Sequence, residues 1–408
     1  MTEVAVLGFG IVGSGTVEVF DKNADRIARN AGQSIRVKYI LDIRDFPASP
    51  YKGLFVKDFE TIVNDPDVKV VVEVIGGTGA AYDFTRRSLM AGKSVVTSNK
   101  ELVAEHGYEL LKLAGENGVN YLFEAGVGGG IPVIRPLAQC MAANKINEIY
   151  GILNGTTNYI LSEMAKNGAE FSSALADAQK KGYAEADPTA DVDGHDACRK
   201  ICILSSLAFG RHLYPEFIRA EGIRGVTPGD MQYADSLGYK IKLIGRARAV
   251  GEKVAAYVSP HLISYDNLLS RVDGVTNGVV VRGNASGDIL FCGAGAGKLP
   301  TASAVVADVI DAVKHMYARK LIGWSQGDSE MIADPALLES AWYIRTDAPR
   351  QKVEREFGEV IFVNAPGAGG GASGETAFKT PVMNGKKIGE LLNRGVPAKS
   401  LFRVLGDY

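Results

Sequence analysis

The stretch from Lys181 to Lys200, KGYAEADPTADVDGHDACRK, holds five acids between Glu185 and Asp196, and a lysine four residues beyond the last. Pro188 and Gly194 break the chain inside it, and the apolar run ICILSSLAF follows. A helix starting near Asp193 would set Asp196, Lys200, Ile203 and Leu207 on one stripe. The last two are apolar, so Asp196 and Lys200 would face the edge of the interior as an i,i+4 ion pair. Such a pair is common in purely structural settings. The surrounding charge argues for chemistry: Glu185, Asp187, Asp191 and Asp193 crowd the same turn. Crowded carboxylates repel unless a cation joins them, and a substrate ammonium together with Lys200 would supply that charge. A lysine at a partly dry site also has an adjustable pKa, which suits proton transfer.

A second set of residues opens the chain. Gly8, Gly10 and Gly13 form G-x-G-x-x-G, with Phe9, Ile11 and Val12 between them. The motif follows the apolar run VAVL and precedes a helical pattern, the context a dinucleotide site requires. Gly8 permits the tight turn, Gly10 the approach of a pyrophosphate, and Gly13 close packing of helix on strand. The helix N-terminus then offers free N–H groups to the phosphates. The next strand, IRVKYILDIRD, ends with Asp42, Arg44 and Asp45. An acid there selects a ribose hydroxyl and an arginine accommodates a 2′-phosphate. The cofactor is therefore NADP or NAD, with Arg44 inclining the choice to NADP.

The elements that must position these residues follow from periodicity. Through about Gly130, strand-like runs (VAVL, VKVVVEVIGG, KSVVTSN, VNYLFEAGV) alternate with helical ones, which means βαβ units and a parallel sheet. The expected architecture is α/β: a Rossmann-type domain over residues 1–130, then a mixed α+β substrate and dimerisation domain over 131–300. In the latter, GYKIKLIGRARAV, KVAAYVSPHLI, GVVVRGNAS and GDILFCGAGAG read as strands joined by tight turns. The helix over 301–320 is expected to pack back on the first domain. Residues 341–408 read as βαββαβ, a small ferredoxin-like unit. In it APGAGGGASG is expected to be a flexible hairpin loop, since no helix follows to make it a phosphate loop.

Composition excludes several classes. The 408 residues are 46% hydrophobic and 23% charged, with net charge −2 and no basic block, so neither nucleic acid nor an anionic membrane surface is implied. No apolar run is long enough to span a bilayer. The opening MTEVAVLGFG has no basic-then-apolar leader, and the four cysteines form no disulfide framework, which together predict a cytoplasmic protein. His195, Cys198 and Cys202 would share a helix face, yet no second ligand pair has zinc-site spacing, so core cysteines are expected.

The signature AQKKGYAEADPTADVDGHDACRK resembles that of homoserine dehydrogenase, matching at Ala178, Gly182, Tyr183, Asp187, Pro188, Asp191, Gly194, Asp196 and Lys200. GFGIVGSG, VVVEVIGG, VVTSNKELVAEHG, FEAGVGGGIP, LNGTTNYIL and GAGAGKLPTASAVVADVIDA resemble family segments in family order, over residues 3 to about 322. The resemblance implies NAD(P)-linked interconversion of aspartate 4-semialdehyde and L-homoserine, on the route to threonine and methionine. It implies that Lys100 and Lys200 handle the proton and polarise the substrate oxygen. Glu185, Asp191, Asp196, Tyr183, Gly155 and Thr156 would meet substrate. Gly76, Thr97, Ser98, Asn99 and Lys100 would join the nucleotide loop at the cofactor. It also implies a monovalent cation, Na⁺ or K⁺, held by the Glu124 carboxylate and the carbonyls of Val127, Gly129 and Ile131. A homodimer, or a tetramer through the C-terminal unit, would be the assembly. That unit resembles the ACT regulatory domain, but DAPRQK carries Arg350 where the family pattern has glycine, which puts threonine feedback in doubt. Three rivals fit less well. A sugar dehydrogenase would have its lysine in Glu-Lys-Pro. A thiol-dependent semialdehyde dehydrogenase would need an activated cysteine. A catalytically dead amino-acid sensor would not need both lysines.

Overall fold

The structure is a computed structural model that describes residues 1–318, 322–363 and 374–406. Buried apolar runs build its first sheet. The chain runs β1 (Thr2–Leu7), α1 (Ile11–Lys22), α2 (Ala24–Ala31), β2 (Ile35–Leu41), β3 (Phe55–Val56), α3 (Glu60–Val63), β4 (Val68–Glu73), α4 (Gly79–Met90), β5 (Ser94–Thr97), α5 (Lys100–Glu116) and β6 (Tyr121–Leu122). Every residue of β1 is buried and β4 exposes only Lys69, as expected of strands covered on both faces. All the strands are parallel, in the order β3-β2-β1-β4-β5-β6. Strand order reverses between β1 and β4, so a ligand crevice opens at their carboxyl ends.

The run VNYLFEAGV is strand only over Tyr121–Leu122; the chain then turns into α6 (Ala125–Gly128). The middle of the chain continues with β7 (Ile146–Ile152), α7 (Gly155–Asn167), α8 (Phe171–Lys180), α9 (Thr189–Val192), α10 (His195–Phe209), β8 (Arg219–Ala220), α11 (Pro228–Ser236), β9 (Tyr239–Val250), β10 (Lys253–Ser264), β11 (Thr276–Gly283), β12 (Gly287–Ala294) and α12 (Lys298–Lys314). Strands β9 and β10 form a long antiparallel hairpin flanked by β7, β11 and β12. Helix α10 lies on this sheet because Gly245 leaves room for it: a Cβ there would come within 2.7 Å of Leu153 and 3.3 Å of Ile201. Helix α12 returns to the first domain and packs on α1, where a Cβ at Gly15 would press on the Lys298 carbonyl at 2.8 Å.

The acidic stretch carries a short helix of its own, α9, before the buried α10. Gly194, in the left-handed region at φ +85°, separates α9 from α10, so the buried helix begins at His195, two residues later than the stripe suggested.

The C-terminal residues form β13 (Glu339–Ser340), β14 (Trp342–Thr346), α13 (Arg350–Phe357), β15 (Ile361–Val363), β16 (Thr376–Lys379), β17 (Met383–Asn384), α14 (Gly385–Leu392) and β18 (Ala398–Leu405). The order β18-β14-β16-β15, antiparallel throughout, is that of a ferredoxin-like βαββαβ unit. Its sheet is continuous with the middle one, because β18 pairs in parallel with β10 from His261↔Arg403 to Ile263↔Leu405. Arg403 secures the joint: its guanidinium lies 4.2 Å from the Trp342 ring centre and 5.1 Å from that of Tyr257. Arg350 opens α13 with its guanidinium over the Phe362 ring, 4.9 Å from the centre. All but the last residue of APGAGGGASG, and the end of the 301–320 stretch, lie outside the described residues. No helix among the described residues is long and apolar enough to cross a membrane.

Candidate active site

Where the parallel sheet meets α10, one carboxylate stands between two lysines. Asp196, 3% exposed, has Oδ1 at 2.6 Å from Lys100 Nζ and Oδ2 at 2.8 Å from Lys200 Nζ. The contact to Lys200 is an aligned hydrogen bond; that to Lys100 is a close ion pair without hydrogen-bond alignment. Lys200 also donates to the Leu153 carbonyl at 2.8 Å. The side chain of Lys200 is 9% exposed and that of Lys100 40%, so Lys200 forms the floor and Lys100 the open side.

Their electrostatics diverge. Burial pulls the Lys200 ammonium below the ordinary lysine range; the attraction of Asp196 offsets this only in part, and Lys100 adds a smaller repulsion. Burial also acts against the charge on Lys100, but Asp196 outweighs it and leaves that group above its ordinary value. Asp196 is held well below the carboxylate range although burial opposes its charge, because both lysines and Asn154 stabilise the anion.

Asn154 organises the acids and did not stand out in the sequence. Its Nδ2 donates to Asp191 Oδ1 (2.7 Å) and Asp196 Oδ2 (2.8 Å), while its Oδ1 caps α7 by accepting from Thr157 N (2.8 Å). An Asn directly before a helical run is an N-cap signal that could have marked it. Asp191 is shifted upward by burial and by Asp196. Thr156 donates to the Tyr183 carbonyl at 2.7 Å, tying NGTTN to the acidic loop, whereas the Tyr183 ring is 44% exposed.

The other acids disperse. Asp193 pairs with Arg224 at 2.5 Å, Asp187 accepts from Thr189 N at 3.1 Å, and Glu185 is exposed and in no ion pair with either lysine. Crowding at a single turn was therefore overstated: only Asp191 and Asp196 converge on the lysines. His195 is exposed while Cys198 and Cys202 are buried, so they form no metal site; no group of three or more His, Cys, Asp or Glu residues among the described residues could hold one.

The glycine loop fits a dinucleotide. Gly8 adopts φ +99°, a Cβ on Gly13 would overlap the Gly8 carbonyl, and a Cβ on Gly10 would meet open space. Helix α1 starts without a side-chain cap or an acid in its first turn, leaving its N–H groups free for phosphate. Phe9 is partly buried, Ile11 is 71% exposed at the helix start, and Val12 packs against the core. Asp42 takes no free part: it accepts from Phe9 N (2.8 Å), Arg44 N (2.9 Å), Arg44 Nε (3.0 Å) and an Arg44 terminal nitrogen (2.8 Å).

Across the crevice, Gly76 turns at φ +89° beside open space and Ser98 is half-buried. The side chains of Thr97 and Asn99 are committed to the scaffold. Thr97 donates to Glu73 (2.7 Å), and Asn99 donates to Gly77 O (2.7 Å) and caps α5 (3.1 Å). Glu73, fully buried and pushed upward by desolvation, accepts from Ile75 N at 2.7 Å and so shapes the same turn. A lone acid ending an apolar strand was its only signal.

The Glu124 carboxylate does not fit the cation role expected of it. It accepts from Val133 N (2.6 Å), Ile134 N (2.7 Å), Arg135 N (2.8 Å) and Arg135 Nε (3.1 Å), which fills both oxygens with donors. A cation there would displace backbone N–H groups beside a guanidinium. Val127 and Ile131 are buried, and Gly129 turns at φ +57° tight against the Gly295 carbonyl.

Comparison with known proteins gives the family. The family model described as Homoserine dehydrogenase, NAD binding domain matches residues 8–124, and that described as Homoserine dehydrogenase matches residues 132–310. The homoserine dehydrogenase of Pseudomonas aeruginosa is 44% identical over 358 residues, covering 85% of this chain and 82% of that protein. The chain belongs to the homoserine dehydrogenase family. It is thus an oxidoreductase with a nicotinamide-cofactor domain. The crystal structure of a homoserine dehydrogenase from Thiobacillus denitrificans is similar at TM-score 0.87 and 35% identity, covering 99% of this chain and 98% of that chain. A hyperthermophilic archaeal homoserine dehydrogenase solved in complex with NADPH matches at TM-score 0.65 and 28% identity, over 76% of this chain and 97% of that one.

If Glu124 is an internal cap, Glu124→Ala should lower stability in denaturant unfolding by about 3 kcal/mol or more, since several buried N–H groups lose their acceptor. The loss should be the same in sodium, potassium or choline salts. A loss seen only in sodium or potassium would restore the cation role.

Proposed function

We propose that this chain reversibly reduces L-aspartate 4-semialdehyde to L-homoserine, in threonine and methionine biosynthesis, with Lys200 carrying the proton and Lys100 acting as a fixed cation. The observation that carries the reading is the shared carboxylate: two lysines of opposite electrostatic tendency face one point from both sides of Asp196. When bound, the nicotinamide supplies or accepts the hydride at the carbon bearing the oxygen. The remaining demands fall on the chain.

In the reducing direction the carbonyl oxygen gains negative charge as hydride arrives at its carbon. Lys100, which keeps its proton, stabilises that charge. Lys200, whose ammonium is disfavoured by burial, gives up a proton to the oxygen and forms the hydroxyl. In the oxidising direction neutral Lys200 takes the hydroxyl proton as the hydride leaves. Asp196 stays ionised throughout and holds both nitrogens in place. Asp191, raised by burial and by its carboxylate neighbour, would be relieved by a substrate ammonium, and Asn154 orients it for that contact. Glu185, exposed on the same loop, could join only through movement of that loop.

A group that must lose its proton cannot be replaced by arginine. Lys200→Met and Lys200→Arg should both lower kcat for homoserine oxidation by about 10²–10⁴-fold, whereas Lys100→Arg should keep substantially more activity than Lys100→Met. An active Lys200→Arg enzyme would refute the assignment.

NADP is the preferred cofactor in this reading. All four acceptor positions of Asp42 are occupied, which leaves none for a ribose hydroxyl, while the Arg44 side chain is 59% exposed beside the crevice. Arg44→Ala should raise the NADP dissociation constant by about tenfold or more and shift that for NAD much less. Equal effects on the two cofactors would refute the preference.

A further inference from the structure

We propose that Asn277 is a positioning residue for Lys200: its amide fixes the one carbonyl oxygen that the lysine uses as a second anchor. The inference rests on the reading of Lys200 as the proton-carrying group. Asn277, near the start of β11, is 3% exposed and donates from Nδ2 to the Leu153 carbonyl at 2.8 Å. Lys200 Nζ donates to the same oxygen, also at 2.8 Å. Both acceptor positions of that carbonyl are thereby used. Lys200 is held between it and Asp196, and its nitrogen has little freedom to drift.

Chemistry sets the orientation of the amide. An Oδ1 turned toward Leu153 would bring two acceptors face to face, so the nitrogen faces it. Oδ1 then points away, is buried, and has no hydrogen-bond partner. A buried acceptor left unpaired costs about as much as one hydrogen bond returns, so the amide as a whole gains the fold little. Stability therefore does not account for asparagine here; the donor to Leu153 does. The surroundings are fitted to that amide. A Cβ on Gly295 would overlap its carbon and nitrogen, and a Cβ on Gly155 would come within 3.3 Å of Oδ1 and 2.8 Å of the Val275 carbonyl. The NGTTN and GAGAG loops thus close on Asn277 from two sides, and their glycines have a packing reason that the nucleotide does not supply.

The charges that face Lys200 are Asp196 on its own helix, Lys100 from α5 and Asp191 from α9. The chain after β7 and the start of β11 face it with neutral groups, the Leu153 carbonyl and the Asn277 amide. Removing Asn277 leaves the Leu153 oxygen with one donor, so it accepts more strongly from the Lys200 ammonium. The charged form of Lys200 gains, and a base that must start neutral works only at higher pH.

The test is the pH dependence of kcat/KM for homoserine oxidation in wild type, Asn277→Ala and Asn277→Leu. The leucine variant preserves the packing volume should alanine fail to fold, and NADPH binding reports an intact fold. The rising limb should move to higher pH by about half to one unit in a variant that binds NADPH normally. A limb that stays in place or moves to lower pH overturns the proposal, and so does failure of both variants to fold, which would make Asn277 purely structural. A wild-type enzyme inactive on homoserine would instead refute the functional reading on which the proposal stands.

Discussion

A carboxylate buried between two ammonium groups is a balance that neither partner can leave. Asp196 lies 2.6 Å from Lys100 and 2.8 Å from Lys200, and is 3% exposed. Removing either lysine would leave it with half its compensation in a dry place, and removing Asp196 would set two ammoniums against each other. The lysines come from different elements: Lys100 opens α5 at the end of the parallel sheet, and Lys200 sits in α10 on the mixed sheet. The ion cluster therefore fixes how the two sheets meet as well as what the site can do.

The scaffold serves that meeting. Asn99 caps α5 and ties it to the turn after β4, so Lys100 projects from a rigid start. Gly245 lets α10 settle on β9, and Asn154 caps α7 while bridging Asp191 and Asp196. Each anchor is an uncharged group placed by a helix end or a glycine. The charges themselves are few, which keeps the pair of lysines electrostatically distinct. A site with more acids around it would raise both lysines together and erase the difference on which proton transfer depends.

Local rules carried much of this from the sequence alone. Alternating strands and helices predicted the parallel sheet, the glycine spacing predicted the turn after β1, and the i,i+4 spacing predicted the Asp196–Lys200 pair. What escaped depends on partners far along the chain. Asp193 is consumed by Arg224, 31 residues on, Glu124 by donors from Val133 to Arg135, and Asp42 by the Phe9 N–H as well as by its neighbour Arg44. Carboxylates crowded in sequence were read as crowded in space, and most of them turned outward. The closure of β10 by β18 was invisible for the same reason: its register joins His261 to Arg403.

The central claim is that one carboxylate holds two lysines on opposite sides of their ordinary ionisation. It is tested most directly by a nitrogen-15 NMR titration of the Lys100 and Lys200 side chains, assigned with single Lys→Arg variants. Lys200 is predicted to lose its proton below the ordinary lysine range and Lys100 above it. The reverse order, or two lysines titrating together in the ordinary range, would contradict the account.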